Sequence, residues 1–317
     1  MSILVQKSGL LSTIQDLGRK NYRRFGINPN GAMDKQAVRL INILLGNDQN
    51  EAVLEMHFPA PILQFEADAI IALGGADFGA KLNEKGIENW RPYFAKKGSI
   101  LKFDDKIFGN RAYLAVKDGL HVKKWLGSSA TSLRAKIGGF GGRSLQKGDR
   151  ILFSSKFQIP NSRFTYKISN SLILPDNSSP KVRIIAGAEF EMLTALSELA
   201  FLKQSFMIRR ESDRMGFRLH GEPLYLLNKI ELVSAAVDFG TIQLLPDGQM
   251  IILMADHQTS GGYPRLAHVI SADLPLLAQL NPNDTVSFNL ISINEAENIL
   301  LQNEFELNYL KFAVDSI

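Results

Sequence analysis

The distribution of apolar positions along the chain predicts a protein built mainly from short β-strands. Wholly apolar or alternating runs of five to seven residues recur, separated by polar turns such as KKG, PDG and NPND. This spacing is typical of a barrel or a sandwich, and it differs from the alternation of strands and long helices in α/β folds. The predicted strands cover residues 69–75, 99–103, 111–116, 182–187, 205–210, 229–233, 250–255 and 285–290.

Helical periodicity is clearest immediately after Asp34. The apolar residues at positions 37, 40, 41, 44 and 45 fall on one face of a helix, and Gly46 ends the pattern. A second helix is expected within 188–201, and shorter helical segments within 272–280 and 293–310. The chain is therefore expected to be mostly β, with a few short helices.

Two stretches in the two halves of the chain share one pattern. LQKGDRILF (145–153) and LNPNDTVSF (280–288) both follow L-x-x-[GN]-D-x-[IV]-x-F, and Gly98 and Gly240 open similar strand–turn–strand segments before them. The retained order indicates a duplication. We therefore predict two related β-domains, residues 1–160 and 181–317, joined by a linker at 161–180 that is rich in Asn, Ser and Pro.

Composition and charge restrict the class of protein. Of the 317 residues, 45% are hydrophobic and 21% are charged, and 36 Lys and Arg against 32 Asp and Glu leave a net charge of +4 that is spread along the sequence. We therefore expect no nucleic-acid partner. No apolar run approaches the roughly 20 residues that cross a bilayer, and the N-terminus does not resemble a secretion signal, so no membrane association is expected. The absence of cysteine excludes disulfides and thiolate chemistry and fits a cytoplasmic location.

Several motifs of known chemistry are missing from the sequence. The chain has no P-loop, no G-x-S-x-G, no H-x-H or H-E-x-x-H, and no M-K-M stretch that would accept biotin. No metal site is therefore predicted, and biotin is not expected to be attached to this chain. GGFGGR (138–143) resembles a glycine-rich phosphate loop, but no long helix follows it, so a tight turn is the preferred interpretation.

Two polar clusters contain candidate binding residues with a structural alternative. In the segment 14–34, Asp16, Arg19 and Asp34 lie beside Gln15 among glycines, but Asp34 also fits a helix N-cap and Arg19 also fits a surface partner of Asp16. In ESDRMGFRLHG (211–221), Arg214 is a candidate ligand clamp. Its alternative is a salt bridge between domains, formed together with its neighbour Asp213.

The densest polar cluster directly follows the predicted strand 250–255. Adjacent glycines allow backbone N–H groups to approach a ligand closely, Gln258 can both donate and accept hydrogen bonds, and Arg265 can hold a carboxylate in a fork. Such a set suits an amide or ureido group. Its members are Asp256, Gln258, Thr259, Gly261, Gly262, Tyr263 and Arg265.

Six stretches together resemble the biotin-dependent carboxyltransferase, or allophanate hydrolase subunit 2, family. They are TIQDLGRKNYRRFGINPNGAMD, YLAVKDG, LGSSAT, GGFGGRSLQKGD, SDRMGFRL and GTIQLLPDGQMIILMADHQTSGGYP. They occur in the order of the family, and the resemblance covers essentially the whole chain. The resemblance implies a pair of cyclophilin-like β-barrels. The family that the chain resembles includes urea carboxylases, 5-oxoprolinase C subunits and an antagonist of a sporulation-kinase inhibitor.

Within that family, a free-standing chain without biotin or ATP motifs resembles the 5-oxoprolinase C subunits best. The resemblance implies a subunit that helps open the lactam of 5-oxoproline to glutamate, with A-like and B-like 5-oxoprolinase subunits as partners and with ATP bound at a site not identifiable in this chain. The catalytic candidates are then Gln258, Asp256 and Tyr263. The substrate-binding candidates are Arg19, Asp16, Asp34, Arg214, Thr259, Gly261, Gly262 and Arg265.

Two other functions are compatible with the same resemblance. One is a urea-carboxylase-type carboxyltransferase that passes a carboxyl group from carboxybiotin to urea or a related amide. Asp118, Ser129, Ala130 and His257 depart from the pattern of that family and count against this alternative. The other is a non-catalytic regulator that binds a kinase-inhibitor partner.

Overall fold

Strands dominate the computed structural model, which describes residues 1–154, 166–169, 172–173, 178–228 and 230–316. The chain divides into two units, of which the first consists of Met1–Arg19, Asn30–Asp176 and Phe305–Ile317 and the second of Lys20–Pro29 and Asn177–Glu304. Most of the predicted linker, 161–180, lies outside the described residues. No helix in the described ranges combines the length and the apolar character that crossing a membrane requires.

The first unit consists of two antiparallel sheets and helix α1 (Lys35–Leu44). Its strands are β1 (Ser2–Lys7), β2 (Ser12–Gln15), β3 (Val53–Met56), β4 (Ile62–Phe65), β5 (Ala69–Asp77), β6 (Ala80–Leu82), β7 (Lys85–Gly86), β8 (Pro92–Ala95), β9 (Ile100–Phe103), β10 (Phe108–Val116) and β11 (Arg150–Leu152). The order is β11-β1-β4-β9-β6-β7 in the six-stranded sheet and β2-β3-β10-β5-β8 in the five-stranded sheet.

The stretches 69–76 of β5 and 112–116 of β10 carry no charged side chain, because both faces of each stretch are buried. Ile71 and Leu114 point into the core between the two sheets. Ile70 and Ala115 point the other way, into a cluster that they share with α1. A strand covered on both sides loses the alternation of polar and apolar residues, which explains the continuous run AIIALGG.

The second unit is a closed barrel of seven strands in the order β12-β19-β16-β17-β14-β13-β20. Strands β15 and β18 form a separate two-stranded ribbon. The strands are β12 (Lys181–Ala186), β13 (Phe206–Ile208), β14 (Gly216–His220), β15 (Ala235–Ala236), β16 (Thr241–Leu244), β17 (Met250–Leu253), β18 (Ser260–Gly261), β19 (Arg265–Val269) and β20 (Thr285–Leu290). Closure leaves no free edge on the barrel.

Three further helices follow in the chain: α2 (Ala195–Lys203), α3 (Leu274–Ala278) and α4 (Ile293–Asp315). Helix α2 covers the barrel with Phe201, whose ring lies 5.0 Å from that of Phe288 on β20. Near the end of α4, Leu307 is buried and packs with Leu310 and Val314 in the α1 cluster of the first unit. The part of α4 up to Glu304 belongs to the second unit, and the part from Phe305 onward belongs to the first.

The repeated sequence pattern forms the same turn in both units. The carboxylate of Asp149 accepts a hydrogen bond of 2.7 Å from the backbone N–H three residues earlier, and Asp284 does the same at 2.7 Å. The residue before each aspartate is left-handed, with φ of 93° at Gly148 and 75° at Asn283. Glycine and asparagine tolerate that conformation best, which explains the [GN]-D pair in both copies.

The mostly β prediction is confirmed, and the helix after Asp34 is found where the periodicity placed it. One predicted strand, 229–233, is wrong: residue 229 lies outside the described residues, and 230–233 form no strand. Val233 is 92% exposed, and no strand among the described residues pairs with this segment. The alternating pattern there is not matched by a buried face.

Candidate functional site

The loop between β17 and β19 is fixed at its first polar residue by an ion pair. Arg214 donates from Nε to Oδ2 of Asp256 at 2.9 Å and from Nη2 to Oδ1 at 3.1 Å. The side chains are 8% and 14% exposed. A bidentate pair of this kind fixes direction as well as distance, so Asp256 holds the start of the loop in one orientation.

A second fork holds the other end of the loop. Arg265 donates from Nε and Nη2 to the two oxygens of Glu189 at 3.0 and 2.7 Å, and its backbone N–H donates to the same carboxylate at 2.7 Å. Hydrogen bonds from Arg265 hold the pKa of Glu189 below its ordinary value. Glu189 is a buried acid that the sequence analysis did not identify.

Both forks bear on the predicted role of the two arginines. The sequence analysis expects Arg214 and Arg265 to hold the carboxylate of a ligand, and in the structure each guanidinium already faces a carboxylate of the protein. A ligand carboxylate would have to compete with these bidentate contacts. The geometry therefore gives the two arginines a positioning role at the two ends of the loop.

Two glutamine amides meet at a glycine in the middle of the loop. Gln243 is fully buried on β16, donates to the carbonyl of Tyr263 at 3.2 Å and accepts a long hydrogen bond of 3.5 Å from Gln258. A Cβ atom on Gly261 would lie 2.9 Å from Nε2 of Gln243 and 3.4 Å from Nε2 of Gln258. A larger residue at this position would therefore displace the amide of Gln243.

The side-chain amide of Gln258 is incompletely hydrogen-bonded within the described part of the protein. Its Oε1 accepts no hydrogen bond from the residues that the structure describes, and Nε2 makes only the long contact to Gln243. Gln258 and Thr259 are half-buried, whereas Gly262 and Tyr263 are exposed. This part of the loop can therefore offer both a donor and an acceptor to a small polar molecule.

A short N-terminal segment, Lys20–Pro29, holds the loop from outside the barrel strands. Nδ2 of Asn28 donates to the backbone carbonyls of Asp256 at 3.0 Å and of His257 at 2.6 Å. In the same segment Arg23 donates to Asp238 at 2.8 Å. Asn28 thus donates to two consecutive carbonyls of the loop, and it is a positioning residue that the sequence analysis missed.

Two histidines lie in the same region of the second unit. His257 is buried, with Nδ1 2.5 Å from the carbonyl oxygen of Gln258 and Nε2 3.8 Å from Asp238. The ring of His268 contacts the hydroxyl of Thr241 at 3.1 Å, and burial lowers the pKa of His268. In the described ranges, no group of three His, Asp or Glu side chains is placed to hold a metal ion.

The candidates Asp16 and Arg19 belong to a buried polar network in the first unit. Asp16 accepts hydrogen bonds from the backbone N–H groups of Gly18 and Ser129 and from the hydroxyl of Ser128, at 2.6 to 2.8 Å. Arg19 is 2% exposed and donates to Asn30 at 2.9 Å. The alternative of a surface ion pair is therefore wrong, because both side chains are buried among loops.

Asp34 acts as the N-cap of α1. Its Oδ1 accepts from the backbone N–H of Ala37 at 2.8 Å, as a capping aspartate does. Its own N–H donates to the hydroxyl of Tyr113 at 2.9 Å, and this hydroxyl donates to Glu55 at 2.8 Å. Burial raises the pKa of Tyr113 well above its ordinary value, so the hydroxyl stays protonated and continues to donate.

Two known proteins are similar in sequence to nearly the whole of this chain. The chain is 38% identical to the 5-oxoprolinase C subunit of Haemophilus influenzae over 304 residues, which cover 96% of both chains. It is 36% identical to the 5-oxoprolinase C subunit of Escherichia coli over 292 residues, covering 92% of this chain and 91% of that protein. These two relatives are similar to the chain over nearly their whole length.

A solved structure shows the same fold within a much longer protein. The urea carboxylase of Kluyveromyces lactis superposes with a TM-score of 0.91 at 26% identity, covering 98% of this chain but only 29% of the urea carboxylase chain. This likeness confirms the barrel-based fold that the sequence resemblance implied. The family model for the carboxyltransferase domain, subdomain A and B, matches residues 25–290, and the chain belongs to that family.

Proposed function

We propose that this chain is the C subunit of a 5-oxoprolinase complex, in which the lactam of 5-oxoproline is opened to glutamate. The observation that carries the proposal is its similarity, over nearly the full length of both partners, to two proteins named as 5-oxoprolinase C subunits. The urea carboxylase structure, by contrast, extends far beyond the region that resembles this chain. The 5-oxoprolinase C subunits are therefore the relatives on which the proposal is based.

The amide at Gln258 suits a lactam substrate. A lactam presents an N–H donor beside a C=O acceptor, and Gln258 offers an acceptor and a donor in the same arrangement. Hydrolysis adds water across the ring C–N bond, with the hydroxyl going to the carbonyl carbon and the proton to nitrogen. A donor placed at the carbonyl oxygen stabilises the negative charge that develops there.

The remaining candidates take separate roles in this proposal. Asp256 is engaged by Arg214 and fixes the start of the loop. The exposed Tyr263 and the backbone at Gly262 are available to contact the substrate. In this proposal the complex binds and uses ATP, and A-like and B-like 5-oxoprolinase subunits are the partners of this chain. Biotin is not attached to this chain. We therefore expect no useful turnover by the purified chain alone.

The test is reconstitution with candidate A-like and B-like subunits and an ATP-dependent 5-oxoproline assay. Gln258→Ala should lower turnover by about 10² to 10³, the scale of losing one oxyanion donor. It should change the free energy of unfolding by no more than ~0.5 kcal/mol, because the side chain is not part of a core. Ser260→Ala, in the same loop and exposed, is the matched control and should retain full activity.

Three outcomes would overturn parts of this proposal. Full activity of Gln258→Ala would remove the loop from the site. Robust turnover by the single chain would remove the need for partners. Carboxylation of urea with a biotin carrier, without 5-oxoproline hydrolysis, would move the chain to the urea-carboxylase branch of the family.

A further inference from the structure

A pocket in the first unit is lined by basic residues, none of which has a role in the proposed lactam hydrolysis. Its volume is about 260 Å³. Three segments line it: 121–123, the glycine-rich turn 139–143, and 150–152 on β11. The turn is the GGFGGR motif, and the predicted tight turn is found at residues 139–142.

Four basic side chains and no acidic side chain line this pocket within the described part of the chain: His121, Lys123, Arg143 and Arg150. The floor is apolar, with Phe140 and the buried Ile151. Arg143 lies over the ring of Phe140, with its guanidinium carbon 5.0 Å from the ring centroid. The pocket thus combines a positive rim with an apolar floor.

Donors on this rim remain available for a ligand. Arg150 donates to Glu66 through Nε alone, at 3.0 and 3.1 Å, and its two Nη groups make no hydrogen bond with the described residues. Arg143 is more fully engaged: it donates to Asp149 at 2.6 and 2.8 Å, and its Nη1 also donates to the carbonyl of Ser144 at 2.8 Å. The side chains of His121 and Lys123 make no hydrogen bond or ion pair in the part of the chain that the structure describes.

The glycine-rich turn adds backbone donors to the rim. Gly139 and Gly142 are required by close packing, since added Cβ atoms would lie 1.8 Å from the hydroxyl of Thr131 and 2.0 Å from the carbonyl carbon of Lys136. Among the described residues, the N–H groups of Phe140 and Gly141 have no hydrogen-bond acceptor. Backbone N–H groups in such turns bind anions.

We propose that this pocket binds the phosphate group of a small organic phosphate. Lys123, Arg143 and Arg150 bring cations from three segments to one pocket, and this number of cations suits a phosphate with up to two negative charges better than a singly charged carboxylate. The apolar floor suits a ring or hydrocarbon attached to the phosphate. The volume falls below the ~300 Å³ at which pockets for drug-sized ligands begin, so the ligand is small.

Calorimetric titration of the full-length chain tests this site without the lactam assay. Phenyl phosphate should bind saturably and at least tenfold more tightly than benzoate, which has the ring but a carboxylate, and more tightly than inorganic phosphate, which lacks the ring. The double variant Lys123→Gln, Arg150→Gln should weaken phenyl phosphate at least tenfold. Lys85→Gln, an exposed lysine on β7, is the matched control and should bind as the wild type does.

An ADP titration identifies the source of the phosphate. Binding of ADP that is lost in the double variant assigns the site to a nucleotide phosphate, and binding of phenyl phosphate alone assigns it to a small monoester. The proposal is wrong if phenyl phosphate does not bind, if benzoate binds equally well, or if Lys85→Gln has the same effect as the double variant. Thermal unfolding of each variant shows that the fold is retained, and failure here leaves the lactam proposal intact.

Discussion

At the scale of single residues, two ion pairs fix the backbone of the loop between β17 and β19. Arg214 holds Asp256 and Arg265 holds Glu189, and all four charges are largely removed from water. A buried charge is tolerated only when it is paired and hydrogen-bonded. The loss of one partner is therefore expected to cost more than the pair contributes, because the other charge would stay buried alone.

Acid should destabilise the chain through Glu189. Hydrogen bonds from Arg265 hold the pKa of Glu189 below its ordinary value of 4.5. The stabilisation is therefore fully present above that value and is lost as the pH falls through the lower pKa of the folded state. Glu189→Gln should remove this loss and cost about 1–3 kcal/mol near pH 7. The measurement is urea unfolding from about pH 7 to about pH 3, with wild type and variant compared at each pH.

The exposed Glu222 provides the control, since Glu222→Gln should leave the acid profile of the wild type unchanged. Arg265→Lys adds a second check, because it keeps the charge but loses the fork. If Arg265→Lys and Glu189→Gln both unfold like the wild type at every pH, the ion pair has no role in stability.

Sequence reasoning identified Arg214, Asp256 and Arg265 but not how they are paired. Composition marks the loop as unusually polar, and this is a local property that can be read from the chain. Glu189 lies 76 residues before its partner, and its contact exists only because β12 and β19 are neighbours in the barrel. A single sequence does not carry that information, so a residue predicted to hold a ligand is found to hold the protein itself.

At the scale of elements, the loop is held by a segment from far away in the chain. Lys20–Pro29 contributes no strand, yet Asn28 supplies the donor for two consecutive carbonyls of the loop. An unsatisfied buried carbonyl costs free energy comparable to a lost hydrogen bond. The segment therefore determines the position of the residues that immediately precede Gln258.

Substitution of Asn28 separates a specific hydrogen-bonding role from simple packing. Asn28→Ala should lower the free energy of unfolding by about 1–2 kcal/mol, because two carbonyls lose their donor. Asn28→Asp keeps the shape but places an oxygen against those carbonyls, so it should be more destabilising than alanine. Chemical denaturation of both variants measures the order. Equal stability of aspartate and alanine variants would contradict the hydrogen-bonding role.

The elements themselves were more predictable than their partners. Continuous apolar runs identified β5, β10 and β17, because burial on both faces leaves a strong local pattern. Strand β19 was read as part of the polar loop, since its first residue is Arg265 and its side chains alternate only briefly. The error at 229–233 is of the opposite kind: the sequence has an alternating pattern there, but 230–233 form no strand.

At the scale of the whole molecule, one turn occurs once in each unit. Asp149 and Asp284 accept the same backbone hydrogen bond, and the residue before each is left-handed. The two units otherwise differ, since the first has two sheets and the second a closed barrel. The turn is thus a local feature found in two different surroundings, and the duplication stays a prediction.

Exchange of the residues before the two aspartates tests the equivalence. Gly148→Asn and Asn283→Gly should each be tolerated within about 0.5 kcal/mol, because both residue types accept a left-handed backbone. Gly148→Ala and Asn283→Ala should each cost about 1–2 kcal/mol through that backbone strain alone. A Cβ atom at Gly148 meets no atom within 4 Å, so packing does not interfere. Denaturation midpoints of the four variants provide the comparison, and a costly exchange in either direction would show that the turns are not equivalent.

The assignment of chain segments to units has a consequence for anyone who divides the gene. A cut within 161–180 would leave Lys20–Pro29 on the N-terminal fragment, although this segment belongs to the second unit. The same cut would leave Phe305–Ile317, with Leu307 from the core of the first unit, on the C-terminal fragment. Neither protein fragment would contain a complete unit, because each would lack a segment that remains on the other fragment. Split halves should therefore be recovered in folded form only by co-expression, and 161–180 is not a position at which one unit can be exchanged for another without loss.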